Sequence, residues 1–150
     1  MPVSEEREDV LLLDVPTAGD YLSVLPTATA AVATRLGFSL DAIEDLRAAV
    51  NAAVTLLMPE PGRPQASRRR YDGDDSMHCR LEVSTEFLQI VLSRTKGEPL
   101  PDQGTYHWQV LRALTDEASS ESDGMRPMIR IRQQRPASEA DAETDAHRVH

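Results

Sequence analysis

The sequence predicts an α/β (α+β) two-layer sandwich, in which a mixed, mostly antiparallel sheet is covered on one face by three helices. Three observations predict it. Strand-like and helix-like segments follow in the order β-α-α-β-β-α-β, one helical segment carries a regular apolar stripe, and two neighbouring strand segments form a hairpin in mid-chain. Helices packed on one face of a sheet are the simplest two-layer arrangement that buries these apolar surfaces.

The chain has 150 residues, the size of one domain, and its ends differ from its middle. Residues 1–8 are polar and are expected to be flexible. Residues 9–135 are expected to form the single domain. Residues 136–150 are acidic, rich in Ala and without periodicity, which predicts a disordered tail.

The first half of the domain predicts one strand and two helices. Residues 9–15 (DVLLLDV) form a short apolar run that stops at a proline, which is typical of a strand. Residues 18–36 have helical spacing, although Pro26 predicts either a kink or a first helical turn. Residues 40–57 form the most regular helix, and Ser39 is a suitable N-cap for it. The apolar stripe predicted for the first helix comprises Tyr21, Val24, Leu25, Ala28, Val32 and Leu36.

A central hairpin follows a loop at residues 59–76 that contains three prolines and two glycines. Residues 77–84 alternate between polar and apolar, which predicts a half-buried strand. Residues 87–93 are more apolar and predict a central strand. Residues 85–86 between them have the spacing of a hairpin turn.

The last part of the domain predicts a helix and a final strand. Residues 94–104 are expected to be a second loop. Residues 106–118 have helical spacing and predict the third helix, and residues 119–126 are expected to be a turn. Residues 128–132 (MIRIR) alternate and predict the last strand.

Composition excludes several classes of function. Acids outnumber bases by 25 to 16, and the resulting charge of −9 disfavours nucleic acid or an anionic membrane as a partner. The one cysteine, Cys79, rules out a disulfide framework and is expected to be a buried thiol. No apolar run approaches the roughly 18 residues that span a bilayer, and the acidic N-terminus lacks a signal-peptide core. We therefore expect a cytoplasmic protein.

One segment resembles a known family. Residues 36–50 (LGFSLDAIEDLRAAV) are similar to the second helix of the anti-sigma-factor serine kinases, which have the histidine-kinase-like (Bergerat, GHKL) ATPase fold. Residues 106–116 (YHWQVLRALTD) look like the last helix of the actinobacterial branch of that family. The resemblance covers roughly residues 9–134, and the predicted element order agrees with that fold.

The resemblance implies partners as well as a fold. Members of the family hold a sigma factor away from RNA polymerase and are released by a STAS-domain antagonist, which the kinase inactivates by phosphorylating a serine. Members also usually self-associate, so a homodimer or a heterodimer with a paralogue is expected.

The catalytic positions depart from the family's pattern. On the second helix that pattern is Ala-Val-x-Glu-Ala-x-Thr-Asn, in which Glu is the general base and Asn helps to hold Mg²⁺. The Glu position is Ala52, the Asn position is Leu56, and only Thr55 is kept. A methyl group cannot accept a proton, and Leu offers no oxygen to a metal. Either the cleft has filled with side chains, or it exposes an apolar patch that a partner covers.

The two glycine motifs are also degraded. Where the family has Asp-x-Gly-x-Gly, this chain keeps Gly97 without the Asp, and where it has Gly-x-Gly, it keeps Gly104. We therefore expect a pseudokinase with no cofactor and no metal, in which Thr55, Gly97 and Gly104 are remnants of a nucleotide site. The alternative is an active kinase for a STAS serine, with ATP and Mg²⁺, in which other residues have taken over.

Partner contacts can be assigned only to the first helix. Some members carry an Arg there that contacts both sigma factor and antagonist. An ungapped count places that position at Pro26, and Arg35 is a candidate substitute on the same helix. The triplet Arg68–Arg70 is either a basic patch for an acidic partner or a solvated loop, and it could also pair with Asp72, Asp74 and Asp75 nearby. The solvated loop is the simpler interpretation.

Overall fold

The fold was analysed in a computed structural model, and the residues that it describes are 7–17, 20–58, 75–95, 100, 105–123 and 126–136. The expected flexible N-terminus up to residue 6, the loop at 59–74 and the acidic tail from residue 137 lie outside the described residues.

A five-stranded sheet forms one layer of the domain. Its strands stand in the order β1-β2-β3-β5-β4, and every neighbouring pair is antiparallel. The predicted fold class is therefore confirmed, with an entirely antiparallel sheet among the described strands. The strands are β1 (Arg7–Pro16), β2 (Ser76–Ser84), β3 (Phe87–Arg94), β4 (Glu117–Asp123) and β5 (Arg126–Gln134).

Three helices form the second layer: α1 (Val24–Arg35), α2 (Leu40–Leu57) and α3 (Tyr106–Leu114). A single 3₁₀ turn, Tyr21–Ser23, precedes α1. Helix α2 packs against both α1 and α3 and contacts the central strands β3 and β5. This helix is therefore the centre of the helical layer.

The core lies between the two layers. Alternate residues are buried along β2 and along β3 as far as Leu92, as the two-residue period of a strand requires, and the last two residues of β3 are buried as well. Trp108 on α3 and Leu46 on α2 are almost completely buried against them. The strand residues on the core side include Met77, Cys79, Leu81, Val83, Leu88, Ile90, Leu92, Ile129 and Ile131.

The end of the third helix is the main correction to the predicted elements. The helix ends at Leu114 rather than at residue 118, and Glu117–Asp123, expected to be mostly a turn, is strand β4. The hydroxyl of Thr115 donates to the carbonyl of Leu111 at 2.8 Å as the helix ends. Strand β4 is a sheet edge with the sequence EASSESD, and Ala118 supplies its only apolar side chain, so no alternating pattern marked it.

Helix α1 also differs in part from its prediction. Pro26 lies in the first turn, where backbone N–H groups have no partner within the helix, so the proline costs no hydrogen bond. Two members of the predicted apolar stripe, Tyr21 and Val24, are exposed. Leu25 is buried as predicted, and Val32 and Leu36 are partly buried against the core. Thr29, Ala30 and Ala33 complete the buried side of α1.

Candidate functional site

The second half of α2 contains the positions to which the resemblance assigns catalysis and metal binding. The helix begins where the Ser39 hydroxyl accepts a hydrogen bond from the backbone N–H of Ala42 at 3.1 Å. Asp41 lies in the first turn, where the helix dipole favours an acid. From Ala49 to Leu57 only two residues are exposed, so this half of the helix is buried on most sides.

The general-base and metal-ligand positions are both apolar and buried. Ala52 is 6% exposed and Leu56 is 5% exposed, and they lie one turn apart on the same face of α2. Leu56 packs within the hydrophobic core. A Glu or an Asn at these positions would have to leave water, which costs free energy unless new partners are supplied.

The third position of the motif, Thr55, faces solvent. Its hydroxyl donates to the backbone carbonyl of Asn51 at 3.0 Å, one turn earlier in α2. This local bond is typical of an exposed helical threonine. Gly97 and Gly104, the other proposed remnants of a nucleotide site, lie outside the described residues.

A buried ion pair lies at the end of α2, and sequence reasoning missed it. The Arg94 guanidinium binds the Asp75 carboxylate with two contacts, Nε to Oδ1 at 3.1 Å and Nη2 to Oδ2 at 2.6 Å. Its Nη1 donates to the backbone carbonyl of Leu57 at 3.2 Å, so the cation also caps the C-terminus of α2. The hydroxyl of Thr17, just after β1, donates to Asp75 Oδ2 at 2.9 Å. Both charged residues are less than 10% exposed.

The predicted hairpin contained a signal for this pair. Asp75 directly precedes β2 and Arg94 ends β3, so a two-residue turn at 85–86 brings them to the same end of the hairpin. The sequence suggests Asp75 only as a partner for Arg68–Arg70, which lie outside the described residues. Its partner is Arg94, the last residue of β3.

A second polar cluster lies at the same end of the sheet, on the face opposite the helices. His78 Nδ1 contacts Asp14 Oδ1 across the β1–β2 pair. His78 Nε2 is 2.7 Å from the Thr95 hydroxyl, which is also 3.2 Å from the Ser76 hydroxyl. A carboxylate, an imidazole and a hydroxyl in this order, here from Asp14, His78 and Thr95, also form the arrangement that activates a nucleophile in some enzymes. In this protein the cluster links side chains of β1, β2 and the residue that follows β3. Within the described part of the chain, no three His, Cys, Asp or Glu side chains are close enough together to hold a metal ion.

Cys79 is buried, as the sequence predicts. The side chain faces the core with 2% exposure, and burial away from water raises the pKa of its thiol from 9.0 to about 12. The nucleophilic thiolate is therefore almost absent at neutral pH.

The two candidate partner residues lie at opposite ends of α1. Pro26 is in the first turn and partly buried, and Arg35 is the last helical residue and exposed. Nine residues of helix separate them by about 14 Å along the axis and by about half a rotation. Pro26 and Arg35 would therefore contact different parts of a partner.

The exposed side of α1 carries almost no charge. Thr27, Ala31 and Thr34 lie along it at helical spacing and are exposed, and Val24 at its start is 42% exposed. Arg35 is the single charged residue of the helix. A helix face that is exposed to water usually carries charged or strongly polar residues. The exposed face of α1 is unusual because its side chains are small and uncharged.

Comparisons with known proteins support the fold. No protein-family model matches the sequence, and no curated protein matches it. Among solved structures, the crystal structure of the RsbU and RsbW domains of Rv1364c from Mycobacterium tuberculosis is similar, with a TM-score of 0.56 and 14% sequence identity. The similarity covers 87% of this chain and 34% of that one, so this chain spans about a third of its length.

At this level of identity the similarity shows the fold and not the activity. The antiparallel sheet and three helices are consistent with the histidine-kinase-like fold that the resemblance implies. Among the described helices, none has the length and apolar character needed to cross a membrane.

Proposed function

We propose that this protein is an anti-sigma-factor-like regulator that associates with a sigma factor, a STAS-domain antagonist, or both, without phosphotransfer. The observation that carries the proposal is the burial of Ala52 and Leu56 at the positions of the general base and the metal ligand. Two groups that catalysis requires are replaced by apolar side chains, and the fold remains as a binding scaffold. The fold shared with a protein that contains an RsbW domain supports the family assignment.

The face of α1 defined by Thr27, Ala31 and Thr34 is the surface that we propose for a partner. It is exposed and nearly uncharged in a chain whose net charge is −9. Small side chains let a partner helix approach closely, and few charges have to be desolvated when it binds. Competition between two partners for this surface would set the fraction of each complex by mass action.

The first experiment is calorimetry of the purified protein with ATP and with ADP, each with Mg²⁺. We expect no heat of binding at millimolar nucleotide, because the base, metal and adenine positions lack their functional groups. Micromolar binding would contradict the proposal and favour the alternative, a kinase. Transfer of labelled phosphate from ATP to a STAS serine would then establish that activity.

The second experiment tests the partner surface. Each sigma factor and STAS protein encoded in the same genome is titrated onto the immobilised protein. For any that bind, Ala31→Arg on α1 is compared with Ala48→Arg, a matched change at an exposed position of α2. We expect only the α1 variant to lose binding. Equal loss in both variants, or no association with any candidate, would overturn the proposal.

A further inference from the structure

The face of the sheet away from the helices carries a group of arginines. The buried residues of β2, β3 and β5 alternate along each strand and point toward the helices, so the residues between them form an outer face. Among Asp, Glu, Lys and Arg, the outer face of these three strands has one acid, Glu82, and four bases: Arg80, Arg126, Arg130 and Arg132. We call this surface the basic face. It is unusual in a chain whose net charge is −9.

The strand register places these arginines on both sides of β3. Val91 of β3 lies between Arg80 of β2 and Arg130 of β5. Gln89, two residues earlier in β3, lies beside Arg132 of β5. Because neighbouring strands are about 4.8 Å apart, β2 and β5 are about 10 Å apart. An extended segment laid over β3 is therefore within reach of arginines from both neighbouring strands.

The contacts within the sheet use only part of these guanidinium groups. Arg80 pairs with the one acid of the basic face, and its side chain is still 43% exposed. Arg130 donates to Glu121 from Nη2 at 3.2 Å, and its Nε has no hydrogen-bond partner among the described residues. Arg132 lies 4.1 Å from the ring centroid of Phe87, a contact that leaves its hydrogen-bond donors unused. Each guanidinium has five N–H donors and can bind a carboxylate with two of them.

An acidic segment follows β5 in the sequence. Residues 139–145 read EADAETD and contain no base. In an extended chain alternate side chains point to the same side. An extended form of this segment would therefore present all of its acids to one surface: Glu139, Asp141, Glu143 and Asp145. The segment lies outside the described residues.

The place where the chain leaves the sheet allows this segment to reach the basic face. The backbone N–H of Arg135 donates to the carbonyl of Glu86 at 2.8 Å, so the chain leaves β5 beside the turn of the β2–β3 hairpin. Arg132 is three residues back along β5, about 10 Å away. Residues 136–138 can span about 10 Å, and residues 139–145 can span about 20 Å more. The segment is therefore long enough to pass both Arg132 and Arg130.

We propose that residues 139–145 of this chain dock on the basic face along β3, with their carboxylates bound by the arginines of β2 and β5. Single exposed ion pairs are weak, but a short linker holds the segment at a high effective concentration. Acids on the two edge strands, Asp14 on β1 and Glu117 on β4, repel the segment and keep it over the middle of the sheet. An acidic segment of another protein has to displace these residues before it can bind there.

This inference does not depend on the regulatory function proposed above, because it concerns the sheet and not α1. A pair of cysteines in the full chain tests it. Val91→Cys on the basic face is combined with Asp141→Cys, and disulfide formation is timed in oxidised glutathione. The matched control is Thr85→Cys with Asp141→Cys, because Thr85 is exposed in the hairpin turn and nearer to the end of β5. Cys79 does not interfere because it is buried.

A docked segment should close the Val91 pair at least about five times faster than the Thr85 pair, whereas a free segment should favour the nearer cysteine. Sodium chloride at about 1 M should remove the preference, because it reduces the screening length to about 3 Å. Preferred closure at Thr85, closure that does not respond to salt, or disulfides formed mainly between molecules at micromolar protein would each contradict the proposal.

Charge changes in the Val91 and Asp141 cysteine pair identify the groups that bind. Arg130→Gln with Arg132→Gln should slow closure at least about fivefold, whereas Arg47→Gln on α2, also exposed, should leave the rate unchanged. Circular dichroism should show that each variant remains folded. The same slowing is expected when the remaining acids of the segment become amides, in Glu139→Gln, Glu143→Gln and Asp145→Asn. These three changes alter no described residue, so an unchanged closure rate would overturn the proposal.

Discussion

The Arg94 guanidinium and the Asp75 carboxylate form a buried, two-contact ion pair that joins four segments of the chain. Arg94 ends β3 and Asp75 precedes β2. The pair reaches the C-terminus of α2 through the Leu57 carbonyl and the end of β1 through the Thr17 hydroxyl. The last residue of β3 therefore holds together segments that are far apart in the sequence.

We expect Arg94→Ala to lower the free energy of unfolding by about 3 to 5 kcal/mol, because it leaves the Asp75 carboxylate buried without its partner. Urea denaturation followed by circular dichroism measures the change. Arg47→Ala is the control, since its pairing with Glu44 at 3.8 Å is exposed and should contribute less than about 1 kcal/mol. A double variant, Arg94→Met with Asp75→Leu, should be more stable than Arg94→Ala. The opposite order would contradict this account.

Restoring the family's catalytic residues should destabilise the protein. We expect Ala52→Glu and Leu56→Asn each to cost about 2 kcal/mol or more, because each places a polar group in a buried position. Thermal and urea denaturation measure the cost. Ala48→Glu, at an exposed position of the same helix, should change stability by less than about 0.5 kcal/mol.

The double variant Ala52→Glu with Leu56→Asn separates the two interpretations of the cleft. A filled cleft predicts that it neither reaches wild-type stability nor binds ATP. If it is as stable as the wild type and binds ATP by calorimetry, the cleft is open and the interpretation of Ala52 and Leu56 is wrong.

The stability of the protein should fall at high pH because of Cys79. The folded-state pKa is about 12 and the ordinary value is 9.0, so above pH 9 the unfolded thiol ionises while the folded one stays neutral. This group then lowers the free energy of unfolding by about 1.4 kcal/mol for each pH unit up to pH 12, and has no effect well below pH 9. Urea denaturation at pH 8, 9 and 10 (about one unit apart) measures the slope. Cys79→Ala should flatten it, and an unchanged slope would contradict the assignment.

The turn between α1 and α2 should depend on one glycine. Gly37 has φ of +84°, and the N–H groups of Gly37 and Phe38 donate to the carbonyls of Thr34 and Ala33, both at 3.1 Å. We expect Gly37→Ala to cost about 1 kcal/mol, because a Cβ strains this conformation although no atom lies within 4 Å of it. Gly37→Asn should cost less, and thermal denaturation compares the two. Equal stability of Gly37→Ala and wild type would contradict the expectation.

Local sequence patterns were sufficient to predict elements that depend on residues close together in the chain. The stripe of α2, its Ser39 cap and the alternation of β2 each depend on neighbours within a few residues. All three are confirmed, except that Leu40 at the start of the stripe is 73% exposed. The sequence of β4 has no alternating pattern, so it did not predict a strand. This strand forms because its backbone pairs with β5. The actinobacterial branch, the nucleotide remnants and the partner residues stay predictions.

The sequence by itself determined the fold class, the central helix, the hairpin and the apolar identity of residues 52 and 56. Only the tertiary structure decided that Ala52 and Leu56 are buried, that Arg94 is paired with Asp75, and that Leu12 lies on the outermost of the described strands. The physical reason is the range of the interactions. Helix caps and periodicity act between near neighbours in the chain, whereas burial, buried ion pairs and strand order depend on residues far apart in sequence that meet only when both layers have packed.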